Sequence, residues 1–531
     1  MQKILKFQQS LDYYLKLLDT RLAQNDYLGA LDSARNALTQ SKTRIDKQAI
    51  NILIGQIYFE MKLYLLSCEY FFRAIKVPET RAGAYFGIGR NLVMLKREKL
   101  ALEYFDCALS TGGVEDFSSA VLEWTQIIRQ NLSKNSVNLS SLAIAKNLVK
   151  LKQFDEALSI LEPRMNAGEI EAKIMYADIL IIRGEFEVAR EILFKVLKDE
   201  PENVSALLVL CSLCSAQKDY CNLEINLEKL EYCELQSGQA ILLATLFANL
   251  GKYNKTLKIF EKILKNDEFN TKILLFMAIC SYNLGEKQDA LYYVGRARWI
   301  DIENPVLNVY YDIFNRDLCE PPLKLLVQIP TKIGENKLNS VFLAVNSGNF
   351  CENFTNSLTL ADDIEWCFSL KNNAITEDIS KVFAHCKKKQ ATSLYEKLLL
   401  TIRLSKEQKY YLTKYALLAG HLKTIDITAN LHFRSFKLKI PKYIENNLLI
   451  KKGYCQAVSF AEINSLQFDF EYINKRIAQS DWTANIDLKV DENLISCLYF
   501  CQNAQVLEQA CIYFATDKHQ VMQAINYLKL L

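Results

Sequence analysis

Proline and glycine are scarce: 8 and 17 in a chain of 531 residues. Chain breakers this sparse exclude a turn-rich β-sandwich or a Pro/Gly-rich linker protein, and leave helices joined by short turns. Histidine is scarcer still, with four in all, at His385, His421, His432 and His519. They are too scattered to form a catalytic pair, and none adjoins a serine or cysteine in a nucleophile motif. A glycine-rich phosphate loop is missing too; the nearest candidate, Gly83 to Arg90, lacks the following Lys-Ser or Lys-Thr pair. No apolar run reaches the roughly 20 residues that span a bilayer. The most apolar segments, SALLVLCSLCSA from Ser205 and AILLATLFANL from Ala240, fall well short. The amino terminus carries helically spaced apolar residues rather than the continuous apolar core and small-residue cleavage site of a secretory signal. These absences point away from an enzyme, a cofactor, a small-molecule substrate and a membrane span.

What is present is a globular balance: 50% hydrophobic residues, 24% charged, and a net charge of +3. Fifteen cysteines fall at irregular intervals through apolar runs, which reads as reduced, buried thiols and hence a cytoplasmic location. Cys211 and Cys214, followed by Cys221 and Cys233, have a superficial zinc-ligand spacing. Buried packing thiols are the simpler reading, because both positions fall where neighbouring segments carry glycine or alanine.

An internal period dominates the first 300 residues. Aligned on Ala189, a small or modest residue followed four later by an apolar one recurs at Ala30, Ser67, Ala101, Ala157, Ala189, Leu223, Thr256 and Ala290. Most intervals lie close to 34 residues, and the long one, from Ala101 to Ala157, leaves room for an inserted helix near 117–130. Around each anchor the pattern is that of RGEFEVAREILFKVLKDEP, Arg183 to Pro201. Glycine ends a first helix, small residues sit where two antiparallel helices cross, large apolar residues fill the space beside them, and proline stops the second helix. Ile54, Gly55, Tyr58, Phe71, Ala74 and Pro78 repeat it, as do Tyr85, Gly89, Ala101, Phe105 and Ala108, and Ala278, Gly285, Ala290, Ala297 and Pro305. Leu223 and Thr256 replace the alanine, which implies a locally splayed crossing.

This pattern resembles the tetratricopeptide repeat, with about eight degenerate copies over residues 11–305. The resemblance implies an all-α fold, a right-handed superhelical solenoid of helix hairpins over 1–317, whose first helices line a concave groove. Carried over by register, the groove positions that meet a partner are Leu15 and Asp19; Ile52, Gln56 and Phe59; Phe86 and Arg90; Lys146; Ile174 and Asp178; Ile241 and Thr245; and Leu275, Ile279 and Tyr282. Relatives that clamp a terminal carboxylate use several basic and asparagine side chains, and here Arg90, Asn91 and Lys146 alone stand in such places. The expectation is therefore a non-enzymatic scaffold or adaptor that holds an apolar peptide or helix of another protein. The bland alternative is that these side chains pack against the carboxy-terminal half of the same chain.

After Pro305 the signature fades. Residues 318–335 read as a linker rich in proline, and 336–531 as an α-rich domain. Apolar and polar residues alternate in two runs around Ala429-Asn430, which predicts a β-hairpin near 423–440. Lys371 to Phe460 contains 17 basic and 6 acidic residues, with Lys387, Lys388 and Lys389 the densest cluster. That excess motivates a second reading, a peptide-responsive regulator whose basic third contacts nucleic acid; salt-sensitive retention on DNA separates the two. Residues 507–531 weakly resemble a helix-turn-helix, though a capping helical hairpin fits as well.

Overall fold

The computed structural model describes residues 10–111, 120–126, 128, 141–150, 153–327, 329–330, 333–336, 338–339, 341, 366–368, 373–383, 388–420, 422 and 424–437. In chain order the helices are α1 (Leu11–Ala23), α2 (Tyr27–Gln40), α3 (Arg44–Glu60), α4 (Tyr64–Ala74), α5 (Pro78–Met94), α6 (Glu98–Ser110), α7 (Ser141–Lys150), α8 (Phe154–Asn166) and α9 (Ile170–Arg183). There follow α10 (Phe186–Asp199), α11 (Val204–Ala216), α12 (Tyr220–Leu230), α13 (Ser237–Asn249), α14 (Tyr253–Asn266), α15 (Thr271–Asn283), α16 (Lys287–Ile300) and α17 (Pro305–Arg316). The last are α18 (Asn373–Phe383), α19 (Lys388–Leu400) and α20 (Lys406–Leu418), before strands β1 (Thr424–Ala429) and β2 (His432–Lys437). Residues 120–126 are helical, inside the interval where the repeat spacing leaves room for an extra helix.

Two compact units result, one of Met1–Gln130 with Gly334–Leu531, the other of Asn131–Ile333. Within each, helices pair as antiparallel hairpins of tetratricopeptide type. Every one of the eight anchors is the fourth residue of the second helix of its pair, and every one is fully buried. Six of the anchors are alanine or serine, one is Thr256, and at α12 the buried Leu223 takes the place. Where the anchor is a hydroxyl residue, it bonds to the facing helix: Ser67 Oγ donates to the Gly55 carbonyl at 2.6 Å, and Thr256 Oγ1 to the Ala244 carbonyl at 3.1 Å. Thr256 thus ties its crossing together where the sequence implied splaying.

Helix entry is fixed by side-chain caps. Asn203, Asn270 and Asn304 each accept a backbone N–H of the following helix, and each donates back to Glu200, Asp267 or Asp301 three residues before it. Such a cap is worth about 1 kcal/mol. Helix exit uses left-handed backbone, supplied by Gly184, Gly251 and Gly285 in three hairpins. In four others, Asn25, Lys62, Lys96 and Lys218 adopt it instead.

In the first unit the carboxy-terminal elements pack onto second helices of the repeats. Helix α19 lies against α4, and both α19 and α20 lie against β1. The hairpin is antiparallel with Ala429 opposite His432, and its turn is Asn430-Leu431, both left-handed. That turn matches the right-handed strand twist. A buried polar hub holds the junction. The Glu69 carboxylate pairs with Arg73 at 2.7 Å and accepts from Thr401 Oγ1 and the Ile402 amide. Buried Lys409 donates to the Thr401 carbonyl and to both the carbonyl and hydroxyl oxygens of Thr428. A second tie is Tyr104, whose hydroxyl donates to the Leu431 carbonyl at 2.8 Å and accepts from the Phe433 amide at 2.6 Å.

Candidate partner-binding groove

Helices α3 and α5 are the first helices of adjacent hairpins and pack side by side. Their facing surfaces place Ile52, Gln56, Phe59, Phe86 and Arg90 around one cavity of about 210 Å³. These are five of the groove positions that the repeat register marks. Phe71, Glu79, Thr80, Gly83 and Gly87 complete the lining. The register missed them because it considers only the outward turns of the first helix. Phe71 comes from α4 and reaches between the two helices, and the glycines at 55 and 87 admit its ring.

Arg90 decides the chemistry of this cavity. Its guanidinium lies 4.0 Å from the centroid of the Phe59 ring and 5.8 Å from that of Phe86, a stacking worth about 0.5–2 kcal/mol. Burial pulls its pKa below the ordinary arginine value, with nearby Glu60 opposing. Its Nε is buried and has no hydrogen-bond partner among the described residues. Thr80 is committed elsewhere, its hydroxyl donating to the Ala74 carbonyl at 2.6 Å. The result is an apolar pocket with an unspent, flat cationic donor on its wall. It contains no nucleophile–base pair.

A carboxylate clamp does not assemble from the three residues that the register offered. Asn91 is buried, and its amide donates to Ser67 Oγ at 2.8 Å and to the Gly87 carbonyl at 2.9 Å. Lys146 pairs with Glu171 at 2.6 Å. Arg90 alone remains.

Elsewhere the marked positions differ in character. On α1, Leu15 is half-buried and Asp19 exposed. Ile174 is buried on α9, and Asp178 beside it is half-buried, its carboxyl pushed up by desolvation. Ile241 and Thr245 are half-buried on α13, and the Thr245 hydroxyl donates to the Ile241 carbonyl of its own helix. On α15, Leu275, Ile279 and Tyr282 are all buried. Here the chain's own segment after α17 lies on the helix. The Tyr282 hydroxyl donates to the Cys319 carbonyl at 2.7 Å, and Asn283 holds Leu323 both ways, accepting from its amide at 2.7 Å and donating to its carbonyl at 2.8 Å. Self-packing therefore engages Tyr282 at the end of this helix. Lys387 lies outside the described residues, and Lys388 and Lys389 open α19 with side chains outside them, as do residues 507–531 altogether.

Cys211 and Cys214 are buried in the core of the second unit. Burial pushes the Cys211 thiol up to about 12, with Cys214 adding to the shift, so it stays protonated. Among the described residues no cluster of His, Cys, Asp and Glu has the arrangement of a metal site. No described helix is long and apolar enough to cross a membrane.

No family model matches the chain, and no curated protein matches it. Several solved structures do. A tetratricopeptide repeat protein from Parabacteroides merdae is 12% identical, covering 58% of this chain and 99% of its own, with a TM-score of 0.21. The TPR2AB domain of yeast Sti1, solved with pHSP90, is 12% identical over 57% of this chain and 98% of its own, with a TM-score of 0.22. A chain of the APC/C hetero-tetramer Cut9-Hcn1 is 13% identical, covering 77% of this chain and 96% of its own, with a TM-score of 0.28. Likenesses of that order carry no argument about function. The hairpin assignment stands on the buried anchors and caps of this chain.

Proposed function

We propose that this tetratricopeptide-type protein is a non-enzymatic interaction scaffold that holds an apolar segment of a partner protein in the cavity between α3 and α5. The observation that carries the reading is the Arg90 guanidinium standing 4.0 Å over the Phe59 ring, with a buried Nε that nothing in the described chain satisfies. A buried donor without a partner costs about 1–3 kcal/mol. A partner that inserts an apolar side chain beside Phe86 and offers a carbonyl or carboxylate oxygen to Nε removes that cost. Non-helical backbone is a form such helices accommodate, since Asn283 and Tyr282 hold residues 319–323 of the same chain through their main-chain groups.

The test is comparative affinity purification with mass spectrometry on the wild type, Phe86→Glu and Arg90→Ala, with helicity checked by circular dichroism. Partners retained by the wild type and lost by both variants, at unchanged helicity, support the reading. Identical partner sets for all three proteins overturn it.

A further inference from the structure

The second unit contains a larger cavity, of about 330 Å³, that lies apart from the groove register. Its origin is a length mismatch. The second helices α10, α14 and α16 each have 14 residues, whereas α12 has 11 and stops at Leu230. Three missing residues remove about 4.5 Å of helix at 1.5 Å per residue. The turn at 231–236 then runs past the end of α12, and a concave gap remains between it and the apolar residues of α13 and α14. Leu243 and Phe247 of α13 with Ile259 and Ile263 of α14 form the floor.

The wall is basic. Lys255, Lys258 and Lys262 stand three and four residues apart, on one face of α14. They span about 10 Å of helix. Lys255 pairs with Glu231 and stands 5.1 Å from the Phe247 ring centroid. Among the described residues Lys258 and Lys262 have no ion-pair partner, and Glu231 is the sole acid in the lining.

We infer that this cavity is a second binding site, whose occupant is an acidic amphipathic segment of a partner protein. A large apolar side chain of that segment fills the gap left by the short α12, and carboxylates about one helical turn apart meet Lys258 and Lys262. The spacing of the lysines favours several anionic groups in a row over the single head of a fatty acid. Apolar burial supplies affinity, and the charge row sets orientation and selects against basic segments.

The experiment is fluorescence anisotropy on the full chain with a labelled helical peptide of Glu and Leu, arranged with one acidic and one apolar face. Its Gln-for-Glu counterpart and lauric acid serve as comparisons. The acidic peptide should bind, and its affinity should fall as salt rises. The double variant Lys258→Glu, Lys262→Glu should weaken it about tenfold and should take up a Lys and Leu peptide instead. Leu235→Glu, on the turn at the cavity rim, should weaken binding as well, with folding checked by circular dichroism because Leu235 also packs against the core of this unit. Phe86→Glu should leave it unchanged, which separates this site from the α3–α5 cavity. Equal binding of the Gln counterpart, full binding by the lysine double variant, loss of binding in Phe86→Glu, or binding of laurate alone would each overturn the inference.

Discussion

The Phe71 ring occupies the space that a side chain on Gly87 would need: a Cβ at that position would lie 2.4 Å from the ring. A Cβ added at Gly55 would lie 3.1 Å from the same ring. One aromatic from α4 is thus wedged between two first helices and sets their separation, and with it the width of the cavity that Arg90 enters.

Gly87→Ala should therefore destabilise the protein even though alanine is the better helix former. The propensity gain is about 1 kcal/mol, whereas overpacking against a buried ring costs about 1–3 kcal/mol. Gly89→Ala should behave alike, since its Cβ would lie 2.3 Å from Phe105. Adding Phe71→Leu to Gly87→Ala should recover part of the loss. Urea midpoints measure all three, and a Gly87→Ala protein at least as stable as wild type would contradict the wedge.

Three lysines do the work of glycine at helix exits. Lys62, Lys96 and Lys218 have φ of 61°, 57° and 59°, against 83°, 72° and 82° for Gly184, Gly251 and Gly285. The hydrogen bonding is the same: the Lys62 amide donates to Phe59 and the next amide to Tyr58, just as Gly285 donates to Tyr282 and Glu286 to Ser281. Left-handed backbone costs a lysine about 1 kcal/mol. Each of these lysines is exposed, so Lys→Gly sacrifices no packing. Each replacement should raise stability by about 0.5 kcal/mol after glycine's larger unfolded-state entropy is counted, and the three should add.

The hairpins were legible in the sequence because their constraint is local. A small residue sits at the fourth position of six of the eight second helices, and the array repeats that pattern until it stands out. The β-hairpin was legible for the same reason, its alternation broken only at the turn beside Ala429. The docking of the carboxy-terminal elements was not. Glu69 and Lys409 look like solvated helix residues, and their burial depends on Thr401 and Thr428, more than 300 residues from Glu69. Asn283 was missed for a related reason: its partner is a backbone amide, which leaves no trace in residue type. At the groove, five of the positions that the register marks line one cavity, but the register had no means of seeing that Asn91 and Lys146 are already engaged.

Tyr104→Phe should loosen the β-hairpin while leaving the repeats folded. The hydroxyl satisfies both the Leu431 carbonyl and the Phe433 amide, and its loss leaves two backbone groups short at about 1–3 kcal/mol. The ring itself keeps its place against Phe72, 6.3 Å between centroids. Hydrogen exchange should accelerate at the Phe433 amide and not at the α1–α2 hairpin; acceleration everywhere would mean that the hydroxyl supports the whole unit instead.

Lys409 should make the stability of the first unit depend on pH. Its Nζ faces three acceptors, an arrangement that suits an ammonium, but burial outweighs this and pulls its pKa from 10.5 to about 7, with Glu69 opposing. Unfolded, the amine takes up its proton near 10.5; folded, only near 7. Between those values the unfolded chain binds more protons, so stability rises with pH across the window and is insensitive to this group below it. The slope should approach about 1 kcal/mol per pH unit. Cys68 acts in the opposite sense at higher pH, because burial pushes its thiol from 9.0 up to about 12 and alkaline conditions then favour the unfolded thiolate. Measurement between pH 7 and about pH 8 stays largely below that region. Urea midpoints should climb over this range in the wild type. In Lys409→Met the protein should be less stable throughout, because the Thr401 and Thr428 oxygens lose their donor, and its midpoint should not climb. A wild type and a variant with parallel pH profiles would show that Lys409 keeps its charge inside the fold.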